Sequence, residues 1–212
     1  MNTDYKTMLI TGTTQGIGYQ LYKYYKDKYN IITINRQDIG DNNYVCDLSN
    51  MNEVRELISQ IASINVDILI NNAGGASPVH FLDMTIDELI AVSTLNYHTP
   101  ILLMQAVING MVNRGYGKII NISSIGSKSP RPLIAHYGAA KSALEKFSSS
   151  IAVAYGGTGV SVNCICPGGI NTKTSIENRK KMAELLNLEK SHFNLQMPIF
   201  FRSRIFSFGS LA

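Results

Sequence analysis

Short apolar runs rich in β-branched residues alternate along this chain with longer stretches whose apolar positions recur at helical spacing. Residues 7–11 (Thr-Met-Leu-Ile-Thr) predict a buried strand, and a helix carrying apolar and tyrosyl residues follows over about 16–29. Residues 31–34 form a second strand and 44–46 a shorter third, with a helix over about 51–61 after it. Residues 66–70 are the fourth strand. Thr85-Ile86-Asp87-Glu88 then matches a capping box, in which the Thr hydroxyl and the Glu carboxylate satisfy free amides at a helix start. That helix is expected to run to about 112 with a bend at Pro100. Residues 118–122 are the fifth strand, 135–155 a helix, and 160–165 the sixth strand.

Nearly continuous apolar strands separated by helices predict an α/β fold, with a parallel sheet covered on both faces. Right-handed crossovers between parallel neighbours make it a doubly wound sheet of about six strands, the Rossmann arrangement. Ligands on such sheets sit beyond the carboxyl ends of the strands. The chemistry is therefore sought where each strand stops.

Composition narrows the function classes. The chain has 212 residues, enough for one domain, with 45% hydrophobic and only 16% charged positions. A disordered chain would be charge-rich and apolar-poor. The net charge of +4 is spread without a stripe; Arg179-Lys180-Lys181 reads as a solvated helix face, and no nucleic-acid partner is expected. No apolar run reaches the roughly 18–20 residues that span a bilayer, and Met1-Asn2-Thr3-Asp4 lacks a basic leader, so no membrane partner and a cytoplasmic location are expected. Cys46, Cys164 and Cys166 read as buried free thiols of a reducing compartment, and the four scattered histidines have no metal-ligand spacing. No metal chemistry is expected.

The first strand leads into Thr11-Gly12-Thr13-Thr14-Gln15-Gly16-Ile17-Gly18, at the opening of a helix. Glycines there allow a tight turn and close approach of a pyrophosphate, whose charge rests on free helix amides. The second strand ends at Asn35-Arg36, where an acid would bond adenosine ribose hydroxyls and an Arg suits a 2′-phosphate. NADP(H) is thus favoured over NAD(H), with Asp38 as the counter-indication. Asp47-Leu48 ends the third strand and suits an adenine, while Asn72-Ala73-Gly74 after the fourth is small enough for a ligand to lie close. Ser123-Ser124 ends the fifth strand, and Tyr137 and Lys141 share one face of the next helix, being one turn apart. Tyr19/Lys23, Tyr22/Lys26 and Tyr24/Lys28 repeat that spacing on the first helix, where packing and snorkelling account for them. His136, about 100° round the helix from Tyr137, is expected at the surface or against a substrate.

Taken in order, Thr11 to Gly18, Asp47, Asn71-Asn72-Ala73-Gly74, Asn96, Ser124, Tyr137/Lys141 and Pro167-Gly168-Gly169-Ile170-Asn171-Thr172 resemble the short-chain dehydrogenase/reductase family, in its 3-oxoacyl-carrier-protein reductase-like branch. The resemblance covers about residues 6–172. It implies hydride transfer between a nicotinamide cofactor and a carbonyl or alcohol, on a small molecule or a carrier-bound acyl chain. It further implies that Ser124 holds the substrate oxygen and that Tyr137 is the general acid/base. Lys141 and the oxidised nicotinamide together would lower the tyrosine pKa, Lys141 would also bind the nicotinamide ribose, and Asn96 would hold a water linking Lys141 to solvent. Ile170 and Thr172 would close over the nicotinamide, and Gly12, Thr14, Gln15, Gly16, Ile17, Gly18, Arg36, Asp47, Leu48, Asn72, Ala73 and Gly74 would line the rest of its site.

Residues 1–196 are expected to form one cofactor-binding domain, with a substrate lid over about 173–193. No helical stripe is readable between Thr172 and Met182, and an amphipathic lid begins at Met182, Leu185 and Leu186. Arg131 reads either as a solvated side chain or as a hint of an anionic substrate. Relatives continue into a seventh parallel strand that is not readable here, and residues 197–212 instead carry Phe200, Phe201, Phe206 and Phe208. A truncated or frame-shifted ending and a packing tail are the two expectations for this segment. With them go two function classes: an active enzyme, or a non-catalytic binding protein whose homo-oligomer, expected from the family, is in doubt.

Overall fold

The computed structural model describes residues 5–187 and 205–206. Its strands are β1 (Thr7–Thr11), β2 (Asn30–Asn35), β3 (Asn43–Val45), β4 (Ile68–Asn71), β5 (Gly117–Ile122), β6 (Val160–Ile165) and β7 (Ile205–Phe206). The helices are α1 (Gly16–Tyr25), α2 (Met51–Ile61), α3 (Ile86–Ser93), α4 (Thr99–Asn113), α5 (Ala135–Ala154) and α6 (Lys173–Leu185). The sheet order is β3-β2-β1-β4-β5-β6-β7, and β1 to β6 pair in parallel. After β3 the chain crosses over to lay β4 against the other edge of β1, so the winding reverses between β1 and β4. A crevice opens there at the carboxyl ends of both strands.

Alternation along the strands divides the core. In β1, Leu9 faces one cluster with Ile34, Val54, Leu57, Leu69, Leu103 and Ile119, which α2, α4 and α5 cover. Met8 and Ile10 face the opposite side, where Ile17, Leu21 and Tyr22 of α1 pack. Each fully buried aliphatic side chain contributes about 1.5–3 kcal/mol, so both faces hold the sheet. No helix among the described residues is long and apolar enough to cross a membrane.

Four local differences from the sequence pattern have physical reasons. Helix α1 ends at Tyr25 rather than near residue 29; Tyr29 joins the apolar cluster from a turn that the Tyr25 carbonyl closes, so its place in the period reflects packing and not helix. The long helix after Thr85 keeps its capping box, with Thr85 and Glu88 bonded reciprocally. Its irregularity is a π turn over Thr94–His98, whereas Pro100 lies in the first turn of α4, where a missing N–H costs little. Helix α6 starts at Lys173 because the Thr172 hydroxyl accepts from Ser175 N at 3.2 Å. None of its residues is buried, which is why no stripe announces it.

The fourth difference is at the sheet edge. No seventh parallel strand occurs among the described residues; the two-residue β7 pairs antiparallel with β6, Ile205 opposite Ile165 and Phe206 opposite Cys164. The rest of the expected tail, and residues 188–193 of the expected lid, lie outside the described residues.

Candidate active site

The glycine turn after β1 is shaped by close approaches that admit no side chain. Gly12 (φ +71°) and Gly16 (φ +60°) adopt left-handed backbone. A Cβ on Gly12 would lie 3.0 Å from Ala73 Cα, and one on Gly18 would lie 2.0 Å from the Gly12 carbonyl oxygen and 2.4 Å from Asn72 Nδ2. Asn72 fastens the turn to the end of β4, its Nδ2 donating to the Thr11 and Gly12 carbonyls at 2.9 Å each. Thr11 Oγ1 in return accepts from Asn72 N at 3.0 Å and Ala73 N at 2.8 Å. The start of α1, at Gly16 and Ile17, thereby lines the crevice. Gln15, which precedes the helix, makes no side-chain cap, and the first turn has no acid. This is a cradle that fits a phosphate.

From that turn a cleft of about 1040 Å³ runs along the strand ends. At one end lie Asn35, Arg36, Gln37, Asp47 and Leu48. The Asn35 side chain is committed to the frame: its Oδ1 accepts from Thr13 N at 2.7 Å and its Nδ2 donates to Asn43 Oδ1 at 2.8 Å. That leaves the exposed Arg36 as the cation at this end. Burial works to raise the Asp47 carboxyl, but hydrogen bonds from the Ser49 hydroxyl and amide, together with the Arg36 charge, hold it below its usual value. Leu48 is fixed from behind, its carbonyl accepting from Thr99 Oγ1 at 2.9 Å.

At the other end the cleft wall carries Ser124, Tyr137 and Lys141. The Ser124 hydroxyl accepts from Gly126 N at 3.1 Å and is hydrogen-bonded to the Tyr137 phenol. Lys141 Nζ lies 5.8 Å from the centre of the Tyr137 ring and donates to the Ile122 carbonyl at 2.8 Å. The Lys141 side chain is only 2% exposed, and burial brings its ammonium down to about 8, with Cys164 and Glu145 opposing that shift. Burial also raises the Tyr137 phenol, and the Ser124 bond offsets this only in part. In the chain alone burial is the largest effect on the Tyr137 phenol; the lowering expected of it rests on Lys141 together with the oxidised nicotinamide.

The remaining expected residues divide. Thr14, Gln15, Gly16, Ile17, Ala73, Gly74, Ile170 and Thr172 line the cleft with Gly12 and Asn72. Gly18 and Asn96 do not; Gly18 brings α1 against the turn, and Asn96 acts from behind the wall. Asn96 sits in the π turn, fully buried, with its Nδ2 donating to the Gly75 carbonyl at 2.8 Å and its Oδ1 accepting from Gly75 N at 3.0 Å. Gly74 keeps the space between Asn96 and Lys141 open, since a Cβ there would lie 2.8 Å from Asn96 Oδ1 and 2.9 Å from Lys141 Nζ. Helix α6 closes over the glycine turn, with Gln15 Nε2 donating to Thr174 Oγ1 at 3.0 Å and Asn178 Nδ2 to the Ala76 carbonyl at 2.9 Å.

His136 is neither at the surface nor on the cleft; it is buried, with Nδ1 unpartnered, and burial lowers its pKa. The cysteines are free and buried, and burial pushes Cys46 up to about 11 and Cys166 up to about 12, so neither is a nucleophile at neutral pH. Sequence reasoning missed Glu145, a buried carboxylate bonded to Ser123, Ser127, Lys128 and Cys166. Its spacing was a usable signal, since it continues the Tyr137/Lys141 face by one more turn.

Known proteins resemble this chain in sequence and in fold. The short chain dehydrogenase family profile matches residues 6–183. The chain belongs to the short-chain dehydrogenase family. Among relatives of this chain, the 3-oxoacyl-acyl-carrier-protein reductase FabG of Rickettsia bellii is 33% identical over 210 residues, covering 92% of this chain and 86% of the relative. A Drosophila melanogaster dehydrogenase/reductase SDR family protein 7-like is 33% identical over 132 residues, covering 61% of this chain and 40% of the relative. The fold also superposes on an actinorhodin polyketide ketoreductase crystallised with NADPH, with a TM-score of 0.79 and 24% identity over 89% of this chain and 80% of the other.

Proposed function

We propose that the chain is a nicotinamide-dependent oxidoreductase that interconverts a carbonyl and an alcohol, with NADP(H) preferred over NAD(H). The observation that carries this reading is the convergence of Ser124, Tyr137 and Lys141 on the same cleft as the uncapped amides of α1. A bound nicotinamide supplies or accepts the hydride. The chain's own residues hold the carbonyl and move the proton.

The Ser124 hydroxyl donates a hydrogen bond to the substrate oxygen, and Tyr137 Oη gives that oxygen its proton as the alcohol forms. The phenol is protonated at neutral pH, and burial raises it further, which suits the proton donor of the reductive step. At neutral pH Lys141, with its pKa at about 8, remains largely an ammonium, so its charge offsets the negative charge left on Tyr137. Its bond to the Ile122 carbonyl keeps that charge at the cleft floor. Asn96 fixes the Gly75 backbone beside Lys141, where Gly74 leaves no side chain against the ammonium.

Arg36 supports the NADP(H) preference, because Asn35 is consumed by Thr13 and Asn43 and offers the ribose no acid. The similarity to a 3-oxoacyl-acyl-carrier-protein reductase makes a 3-oxoacyl thioester the first substrate class to try. The test is turnover of NADPH with a panel of small ketones and 3-oxoacyl thioesters, run beside Tyr137→Phe. A fall in kcat of roughly 10²–10⁴ with cofactor binding retained is expected. Equal turnover in both proteins removes Tyr137 from the mechanism, and no turnover with NADPH still bound makes the chain a binding protein. Size measurement on the same sample shows whether a homo-oligomer forms.

A further inference from the structure

Glu145 lies one helical turn beyond Lys141 and two beyond Tyr137, and it is only 8% exposed. Such a carboxylate is costly unless its oxygens are fully bonded. Oε1 accepts from Ser123 Oγ at 2.5 Å, from Ser127 Oγ and from Cys166 Sγ at 3.2 Å. Oε2 pairs with Lys128 Nζ at 2.6 Å. These donors come from two segments only: the turn that follows β5, and the residue that follows β6. Both segments bear on the cleft. Ser124 lies between Ser123 and Ser127, and Cys166 directly precedes Pro167, whose carbonyl accepts from Ile125 N at 2.9 Å.

The same turn is held at further points around the carboxylate. Ser127 Oγ also lies 2.8 Å from the Ser124 carbonyl, sharing its single proton between that oxygen and Glu145, and Ser142 Oγ donates to the Ser127 carbonyl at 2.8 Å. Ser123 N donates to the Ile165 carbonyl at 2.7 Å. Helix α5 therefore contributes Tyr137 and, two turns later, the acceptor that holds the segment carrying Tyr137's hydroxyl partner. One rigid helix sets both members of the Ser124–Tyr137 pair.

We infer that Glu145 is a positioning residue: by binding Ser123, Ser127, Lys128 and Cys166 together, it fixes the turn after β5 so that the Ser124 hydroxyl meets Tyr137. The assignment deepens the oxidoreductase reading and rests on it for the roles of Ser124 and Tyr137. The charged or titratable groups around the carboxylate are Lys128, Lys141, Cys164 and Cys166. Burial works to raise Glu145, but the bonds from Lys128, Ser123, Ser127 and Cys166 hold it below its usual value, so it stays anionic at neutral pH.

The test is Glu145→Gln with tyrosines labelled at 13Cζ, and with Tyr137 assigned by its loss in Tyr137→Phe. The phenol is titrated in protein without cofactor. Ser124→Ala sets the reference, because losing the hydroxyl donor raises the Tyr137 midpoint. Glu145→Gln is expected to raise the midpoint in the same direction, and adding Ser124→Ala to it is expected to raise it no further than Ser124→Ala alone. A midpoint that is unchanged or lower overturns the inference. Lowering is the result of merely removing a negative charge, or of a loosened site that lets water reach the phenol.

The double variant Ser123→Ala/Ser127→Ala cuts the same ties without touching the carboxylate. It must raise the midpoint too; an unchanged value there is equally decisive against the inference. In the active protein Glu145→Gln is expected to lower kcat by roughly tenfold to a hundredfold with the dissociation constant for NADPH unchanged. The phenol titration needs no turnover, so an inactive wild-type protein would count against the oxidoreductase reading and not against this one.

Discussion

The two ends of the cleft are built by different means. Around β1 and β4 the fit is made by backbone: Gly12, Gly16, Gly18 and Gly74 let two strand ends and a helix start come within contact distance. Around β5, β6 and α5 it is made by buried polar side chains, with Lys141, Glu145 and Ser123 satisfying one another or the backbone. The first kind of site tolerates no added atom. The second tolerates small changes of shape but not the loss of a partner, since each group left behind is buried and unpaired.

The largest effect that would break this contrast comes from Gly18. A Cβ there would sit 2.0 Å from a backbone oxygen, which no side-chain rotation relieves. Gly18→Ala is expected to cost about 3 kcal/mol or more and to abolish cofactor binding, read by denaturant unfolding and NADPH fluorescence. A variant of wild-type stability would mean that the turn is plastic and the backbone account wrong.

Lys141 gives the next effect, and it depends on pH. Burial lowers its folded-state pKa from 10.5 to about 8, so between these values the unfolded chain binds more protons than the folded one. The Lys141 contribution to stability therefore rises with pH through that window, and below it the buried charge is a standing cost. Measured against Lys141→Met, which leaves the Ile122 carbonyl unpaired, the wild type is expected to gain stability as pH rises from 7 towards 10.5, by on the order of 3 kcal/mol at most. Parallel unfolding curves at pH 7, 8.5 and 10 check it. The comparison with Met is needed because the raised thiols Cys46 and Cys166 change stability with the opposite sign over part of the same range.

Arg36 carries the smallest effect because it is exposed. Arg36→Ala is expected to weaken NADPH binding roughly tenfold, a loss of about 1.4 kcal/mol, while leaving NADH binding nearly unchanged. Equal weakening of both cofactors, measured by titration, would remove the 2′-phosphate preference.

The contrast also explains which parts were legible in the chain. Glycine spacing, strand ends and the one-turn Tyr137/Lys141 step are short-range features, and they located most of the cleft wall. The α2 boundaries and the Thr85 capping box were equally local and equally clear. What escaped was long-range or unpartnered. The four donors that make Glu145 part of the site lie 17 to 22 residues away in sequence, at Lys128, Ser123, Ser127 and Cys166. Helix α6 buries nothing, so periodicity was silent and only its Thr172 cap could have marked it. His136 was misplaced because helical angle says which way a side chain leaves α5 but not what packs there; Glu88 of α3 lies close enough to act on its charge.

By itself the sequence determined the alternation of strand and helix, the parallel winding and the residue types at each strand end, because propensity and turn chemistry act over a few residues. Only the tertiary structure decided that β4 lies against β1, that Asn35 is spent on Thr13 and Asn43, that burial outweighs the Ser124 hydrogen bond in setting Tyr137, and that β7 meets the sheet antiparallel. Those outcomes depend on which distant groups share a buried space. Desolvation and hydrogen-bond satisfaction are properties of that space, and no local stretch of chain contains them.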